Sequence, residues 1–282
     1  MKSLPVSKRS PSSFIHKPPI IPGVCLFCLL LLFVSCSSIR LPGGPGKDSD
    51  LTRGHYQEMT RQDYADHLSS LKEPFLSTPG IKQAKLDARS AEYFQDLLQE
   101  IISKNEIFFR ELRSARVTIL DTESPLHFSL PKGEIFISHG LLAKYIKHES
   151  MLVSILAFEL VRSEKLLYPR QTLVPIGYVS MERMLLLSRL TLDEKMEIHK
   201  WAHHLTVRSG YDGEYYLSWL QTQNRNTADF ILQVGDPNLI TREESLFKSF
   251  LIKNQLDDKL AVKKNSSKKF YSLMNRIRDG VI

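Results

Sequence analysis

His127-Phe-Ser-Leu-Pro-Lys-Gly-Glu-Ile-Phe-Ile-Ser138 is the stretch whose reading decides the fold. Two short runs rich in Phe, Leu and Ile flank Pro131-Lys132-Gly133, a turn signal, so the segment reads as a β-hairpin. Ahead of it, Val117-Thr-Ile-Leu120 has the β-branched character of another short strand. Behind it the pattern changes to helices, expected over 140–147, 149–167, 178–189, 192–208, 213–223 and 242–253. Thr191-Leu-Asp-Glu194 has the form of a capping box that opens the fourth of these. A small β-sheet or hairpin set among many helices gives an α+β class that is mostly helical.

Working outward toward the N-terminus, Phe94, Leu97, Leu98, Ile101 and Ile102, then Ile107, Phe108 and Leu112, recur at three- and four-residue spacing. This predicts one long helix from Ala91 with a single apolar stripe. Residues 91–255 are enough for one core and are read as one domain. Residues 56–90 read as a polar, partly helical segment broken near Pro74 and Pro79, and residues 36–55, with Leu41-Pro-Gly-Gly-Pro-Gly46, as a flexible tether. In the tail, 256–282, the charged part from Asp257 to Asn265 is expected to be mobile, while Phe270, Tyr271, Leu273 and Ile277 have the spacing of a last docked helix. Trp201, Trp219, Tyr211, Tyr215 and Tyr216, and the run Met181-Glu-Arg-Met-Leu-Leu-Leu187, are expected in the core.

The first 35 residues have the layout of a signal peptide: Lys2, Lys8, Arg9 and Lys17, no acid, then an uncharged apolar run. That run, Gly23 to Ser35, is too short for the roughly 20 residues a stable transmembrane helix needs. Phe33-Val-Ser-Cys36 resembles a bacterial lipobox, with Phe33 in place of the usual Leu. The resemblance implies cleavage before Cys36, lipid acylation of Cys36, and, with Ser37 rather than Asp following, an outer-membrane location facing the periplasm. All three cysteines, Cys25, Cys28 and Cys36, lie at or before this junction, so the 246 residues beyond it offer neither a disulfide nor a thiolate. Removing the leader's four basic residues lowers the formal charge from +7 to about +3, which takes away the case for a nucleic-acid partner.

Several residues resemble parts of reaction centres without completing one. His148-Glu149 opens like a metallopeptidase motif, yet Leu152 stands where the second ligand is needed. His199, His203 and His204 form a cluster without an acid at suitable spacing on an identified facing helix, Glu164 and Glu197 being the nearest considered, and are expected to be surface or partly buried histidines. Ser129, Ser138 and Ser154 have no nucleophile-elbow context, and no Gly-rich phosphate loop occurs.

Four stretches in order resemble the zinc metallopeptidase family of CAAX prenyl endopeptidases, heat-shock membrane proteases and periplasmic assembly proteases. Phe128 to Leu142 is similar to the family's F-x-L-P-G-G-x-I-x-V-x-x-G-L-L. Leu156-Ala-Phe-Glu-Leu-Val-Arg162 stands where the family has L-A-H-E-x-x-H. Lys195-Met-Glu-Ile-His199, followed by Val207-Arg-Ser-Gly-Tyr-Asp212, stands where it has E-x-x-A-D and then a small-x-x-G-Y-D segment. Asp236-Pro-Asn-Leu-Ile-Thr-Arg-Glu243 is similar to its H-P-x-x-x-x-R-E. The likeness spans roughly 91–255 and implies a zincin-like domain.

It also implies a dismantled metal site. Two histidines four apart on one helix reach one zinc, and the glutamate beside the first activates its water. Here those histidine positions are Phe158 and Arg162, the third ligand position is Lys195, and the general-base position alone survives as Glu159. Phenylalanine offers no lone pair, and at about 5 Å and an effective dielectric near 20 each cation would repel Zn²⁺ by roughly 6–7 kcal/mol. No metal or other cofactor is therefore expected, and Glu159 is expected to pair with Arg162 and to face Lys195, clamping two helices. The resulting expectation is a lipid-anchored pseudopeptidase of the bacterial envelope that acts as scaffold, chaperone or regulator and takes a polypeptide along the Glu134–Ser138 strand edge. An active zinc endopeptidase with relocated ligands and a purely structural lipoprotein are the alternatives.

Overall fold

The computed structural model describes residues 60–168, 177–254 and 265–280, all within one compact unit that runs from Met59 to Ile282. The expected leader, the expected lipidation position Cys36, the 36–55 stretch read as a tether and tail residues 257–264 lie outside the described residues. In chain order the elements are α1 (Arg61–Ser70), α2 (Lys72–Leu76), α3 (Ala88–Lys104), β1 (Arg116–Leu120), β2 (His127–Leu130), β3 (Glu134–Ser138), α4 (His139–Tyr145), α5 (Glu149–Lys165), α6 (Met181–Leu187), α7 (Leu192–Arg208), α8 (Glu214–Arg225), α9 (Ile231–Val234), α10 (Pro237–Lys253) and α11 (Lys268–Arg278). The chain is α+β and mostly helical, with one small sheet, as its patterning implies. Among the described residues no helix is long and apolar enough to cross a membrane.

The sheet has the order β1-β3-β2, with β1 parallel and β2 antiparallel to β3. The hairpin forms where the sequence places it, and its loop uses two residues of positive φ, Lys132 and Gly133. At Gly133 a side chain would lie under 3 Å from the Ser114 carbonyl oxygen, so glycine meets both the backbone and the packing requirement. The middle strand is Glu134–Ser138, paired on both sides. A polypeptide cannot add there, and the expected docking edge on this strand is corrected: the outer strands are β1 and β2.

Side chains alternate across a strand, so β2 and β3 feed two cores. Ile135 and Ile137 point into the larger one with α3, α5, α7, α8, α10 and α11. Phe128, Leu130 and Phe136 point into a second core, where Phe128 stacks on Phe136 at 4.7 Å and both meet the edge of Phe75 from α2. His127 and Ser129 pair with Ile137 and Ile135 and therefore face α5. That parity aims His127 into the cavity beside α5.

Helix α5 is the axis of the larger core: every residue from Glu149 to Ser163 is buried. It ends at Leu166, which takes left-handed backbone dihedrals. Helix α7 opens at the capping box Thr191–Glu194 over the expected residues. Helix α11 docks through Phe270, Leu273, Met274 and Ile277, although Tyr271 is exposed. Most boundaries fall within three residues of the periodic reading, and two differ by five or more. Helix α3 stops at Lys104, because the Asn105 side chain turns back to the Ile101 carbonyl and across to Ser209 Oγ and the Leu205 carbonyl; Ile107 is left 77% exposed. Helix α10 starts five residues earlier than expected, where Asp236 caps it and Pro237 occupies its first position. The segment read as polar, 56–90, contributes Tyr64, Leu68, Leu71 and Phe75 to the second core, so the folded unit extends well before Ala91.

Candidate functional site

The residues that the sequence singles out as a degenerate metal centre converge. Phe158, Glu159 and Arg162 from α5 and Lys195 from α7 line one cavity, together with His127, His199 and Glu243. Two buried carboxylates organise it.

Glu159 is fully buried. One of its oxygens lies 2.6 Å from His127 Nδ1; the other accepts from Ser129 Oγ at 2.7 Å and from Arg162 Nη1 at 3.4 Å. Burial alone would push this carboxyl up, yet His127, Arg162 and Ser129 outweigh it and hold it below the ordinary carboxylate range. The Arg162 guanidinium, 3% exposed, also donates to the Ser188 carbonyl and lies 5.0 Å from the centre of the Tyr168 ring. The expected Glu159–Arg162 pair is therefore present, within a wider network and away from solvent.

The second half of the expected clamp is corrected. Lys195 does not pair with Glu159; its ammonium donates to Glu243 at 2.7 Å. The other Glu243 oxygen lies 2.6 Å from His199 Nε2, and His199 Nδ1 lies 2.9 Å from the Tyr216 hydroxyl. A neutral imidazole satisfies both contacts, with Nε2–H donating to Glu243 and the tyrosine hydroxyl donating to Nδ1. Helix α7 is thus tied to α10, while α5 is tied to β2. Between the two centres sits the Phe158 ring, 5.9 Å from the His127 ring and 5.0 Å from the His199 ring. A hydrocarbon ring fills the space between two carboxylate–histidine pairs.

This donor set does not fit a zinc ion held by the implied positions. Phe158 has no donor atom, Arg162 and Lys195 bring positive charge, and both oxygens of Glu159 are committed to protein partners. Among the described residues no group of three His, Cys, Asp or Glu side chains has metal-holding geometry.

The rival motifs resolve into structural roles. His148 caps the N-terminus of α5 and stacks on Tyr215 at 3.9 Å. Glu149 accepts from the Tyr93 hydroxyl and from both the amide and the hydroxyl of Ser267, which fastens α11 to the core. Contrary to expectation His199 and His203 are buried, while His204 is exposed. Burial, helped by His204, pushes His203 down to about 4. Glu164 receives three backbone amides from Arg110, Glu111 and Leu112. Ser129 donates to a carboxylate rather than to an imidazole, Ser138 caps α4, and Ser154 bonds back to the Ser150 carbonyl, so none is set up as a nucleophile. Trp219, Tyr211 and Tyr216 are core residues as expected, while Trp201 is 43% exposed.

His127 and Glu243 escaped the sequence reading as site residues. The hints were positional: His127 opens the hairpin stretch, and Glu243 closes the last of the four motif-like segments. A search against protein-family models matches none, and a search of curated proteins gives no match either.

The Glu243 centre makes a pH-dependent contribution to stability. Burial pushes its carboxyl up, but Lys195 and His199 prevail and bring it to about 2, against an ordinary value of 4.5. A depressed carboxylate pKa adds stability that is complete above 4.5 and lost as the pH falls through about 2. In chemical denaturation at pH 7, Glu243→Gln should lower stability by about 3 kcal/mol, and between pH 4.5 and 2 it should show a shallower loss than wild type. Identical acid profiles for the two proteins would contradict this assignment.

Proposed function

We propose that this chain is a lipid-anchored protein of the bacterial cell envelope, held by Cys36 at the outer membrane and facing the periplasm. Its folded part is read as a zincin-like domain related to the metallopeptidases it resembles, one that has exchanged its zinc ligands for internal ion pairs. Such a pseudopeptidase acts by binding polypeptide, as a scaffold, chaperone or regulator.

The observation that carries this reading is the convergence of Phe158, Arg162 and Lys195 on one cavity beside Glu159. These are the positions to which the resemblance assigns three metal ligands and a general base, and they come from two helices, Lys195 lying 33 residues beyond Arg162 in sequence. A set of unrelated surface charges would have no reason to meet around a buried glutamate. The outer edge of β2 favours polypeptide as ligand. There the Gln233 side chain accepts from the His127 amide at 2.9 Å and donates to the His127 carbonyl at 2.6 Å, the pair of bonds an added strand would make. Displacing one side-chain amide opens that edge beside the cavity.

Two measurements follow. Full-length protein in detergent should bind fluorescent reduced, carboxymethylated casein saturably, leave it uncut, and be indifferent to chelator. Chelator-sensitive cleavage would favour the relocated-ligand endopeptidase, and absence of binding a structural lipoprotein. In cells fed labelled palmitate, the label should enter the wild-type protein and be lost in Cys36→Ser; equal labelling of the two would sink the anchor assignment.

A further inference from the structure

The cavity holds more positive charge than its own acids neutralise. Three side chains that carry a fixed charge line it as cations, Arg162, Arg189 and Lys195, against two carboxylates, Glu159 and Glu243. Each carboxylate has its cation, Arg162 at 3.4 Å and Lys195 at 2.7 Å. With the imidazoles counted neutral, Arg189 is left over.

Arg189 follows the C-cap of α6, and among the described residues its guanidinium has no acid partner. Its Nε is buried without a hydrogen bond, as is Nε of Arg162. Leaving such N–H groups buried and unpaired is costly, and native structures do so rarely. The head group lies against the backbone of Gly235. A Cβ on Gly235 would lie 2.5 Å from the guanidinium carbon of Arg189, and Gly235 has a φ of +83°. The dihedral favours glycine, and a side chain there would push the guanidinium from its present position. Asp236, next to Gly235 in sequence, accepts from the Asn238 amide and forms no ion pair with Arg189 among the described residues. The Gln223 side chain lines the same space.

We propose that this cavity binds a carboxylate, received by the Arg189 guanidinium with Arg162 behind it. A planar guanidinium matches a carboxylate through two parallel N–H bonds, and in a partly enclosed site the attraction is stronger than in water. The free space of about 40 Å³ suits the group in size: it corresponds to three or four waters at the roughly 10–15 Å³ each requires. The carboxylate can belong to a small acid or to the C-terminus of a polypeptide. The inference rests on the charge count and not on the polypeptide-binding reading, which stands or falls by casein binding.

The test is a thermal-shift titration of the full chain in detergent with sodium acetate, at ionic strength held constant with sodium chloride. Acetyl-trialanine and its C-terminal amide serve as the other probes. Acetate should raise the unfolding midpoint saturably, and apparent affinity should fall about 10-fold or more in Arg189→Gln, the loss expected when charge-assisted hydrogen bonds disappear. Arg189→Lys should also bind more weakly than wild type because it loses the fork, and it decides the matter if the glutamine variant fails a circular-dichroism check of folding. Lys269→Gln, on the exposed face of α11, should respond like wild type. Response to the tripeptide acid but not to its amide identifies a polypeptide C-terminus; response to acetate with neither peptide identifies a small acid. No saturable response to acetate or tripeptide acid, an undiminished response in both Arg189 variants, or tighter binding of inorganic phosphate than of acetate overturns the proposal.

Discussion

Glu159 places a negative charge at the contact between strand β2 and helix α5, where no part of it meets solvent. A lone carboxylate there would be prohibitive, so the surroundings are organised to hold it: His127 and Ser129 from the strand, Arg162 from the next turn of the helix. That requirement fixes much else. The β2 side chains must alternate so that His127 and Ser129 face the helix, the helix must be buried along nearly its whole length, and Arg162 must find its own acceptor at Ser188.

A second carboxylate repeats the solution on the far side of Phe158. Glu243 is held by His199 and Lys195, and the aromatic ring separates the two centres. Removing one member of either group leaves another charge unpaired, which is why such networks resist piecemeal change even where an apolar core would serve stability as well. If the domain descends from a metallopeptidase, the network has a simple electrostatic logic: two side-chain cations take over the work of one dication, without requiring a ligand set. The leftover cation, Arg189, is then the feature that a purely structural account leaves without a purpose.

How much of this is legible in the sequence depends on the range of the interaction. The hairpin, the start of α5 and the capping box of α7 depend on neighbouring residues and read correctly from turn residues, spacing and Thr191–Glu194, while α5 ends two residues short of the expected 167. Apolar spacing continues past Lys104 and predicts a longer α3, whereas the stop comes from an Asn105 side chain bonded to residues about a hundred positions away. The second core was missed although its signal was present: Tyr64, Leu68, Leu71 and Phe75 follow helical spacing inside a stretch whose overall composition is polar. At the site, the pairing of Glu159 with Arg162 is local and was readable. The partners His127 and Glu243 lie 32 and 44 positions from the groups they bind, and nothing short of the folded chain brings them there. Lys195 was assigned to the wrong carboxylate for the same reason.

The central proposal is that ion pairs stand at the positions where the resemblance places a metal centre. It is tested most directly by restoring the ligands: the triple variant Phe158→His, Arg162→His, Lys195→Glu, purified beside wild type and analysed for zinc by elemental mass spectrometry. The account predicts no stoichiometric zinc in wild type and stoichiometric zinc in the triple variant, since two histidines four apart and a carboxylate would then surround Glu159. Stoichiometric zinc in the wild-type protein, or a folded triple variant that takes up none, would contradict it.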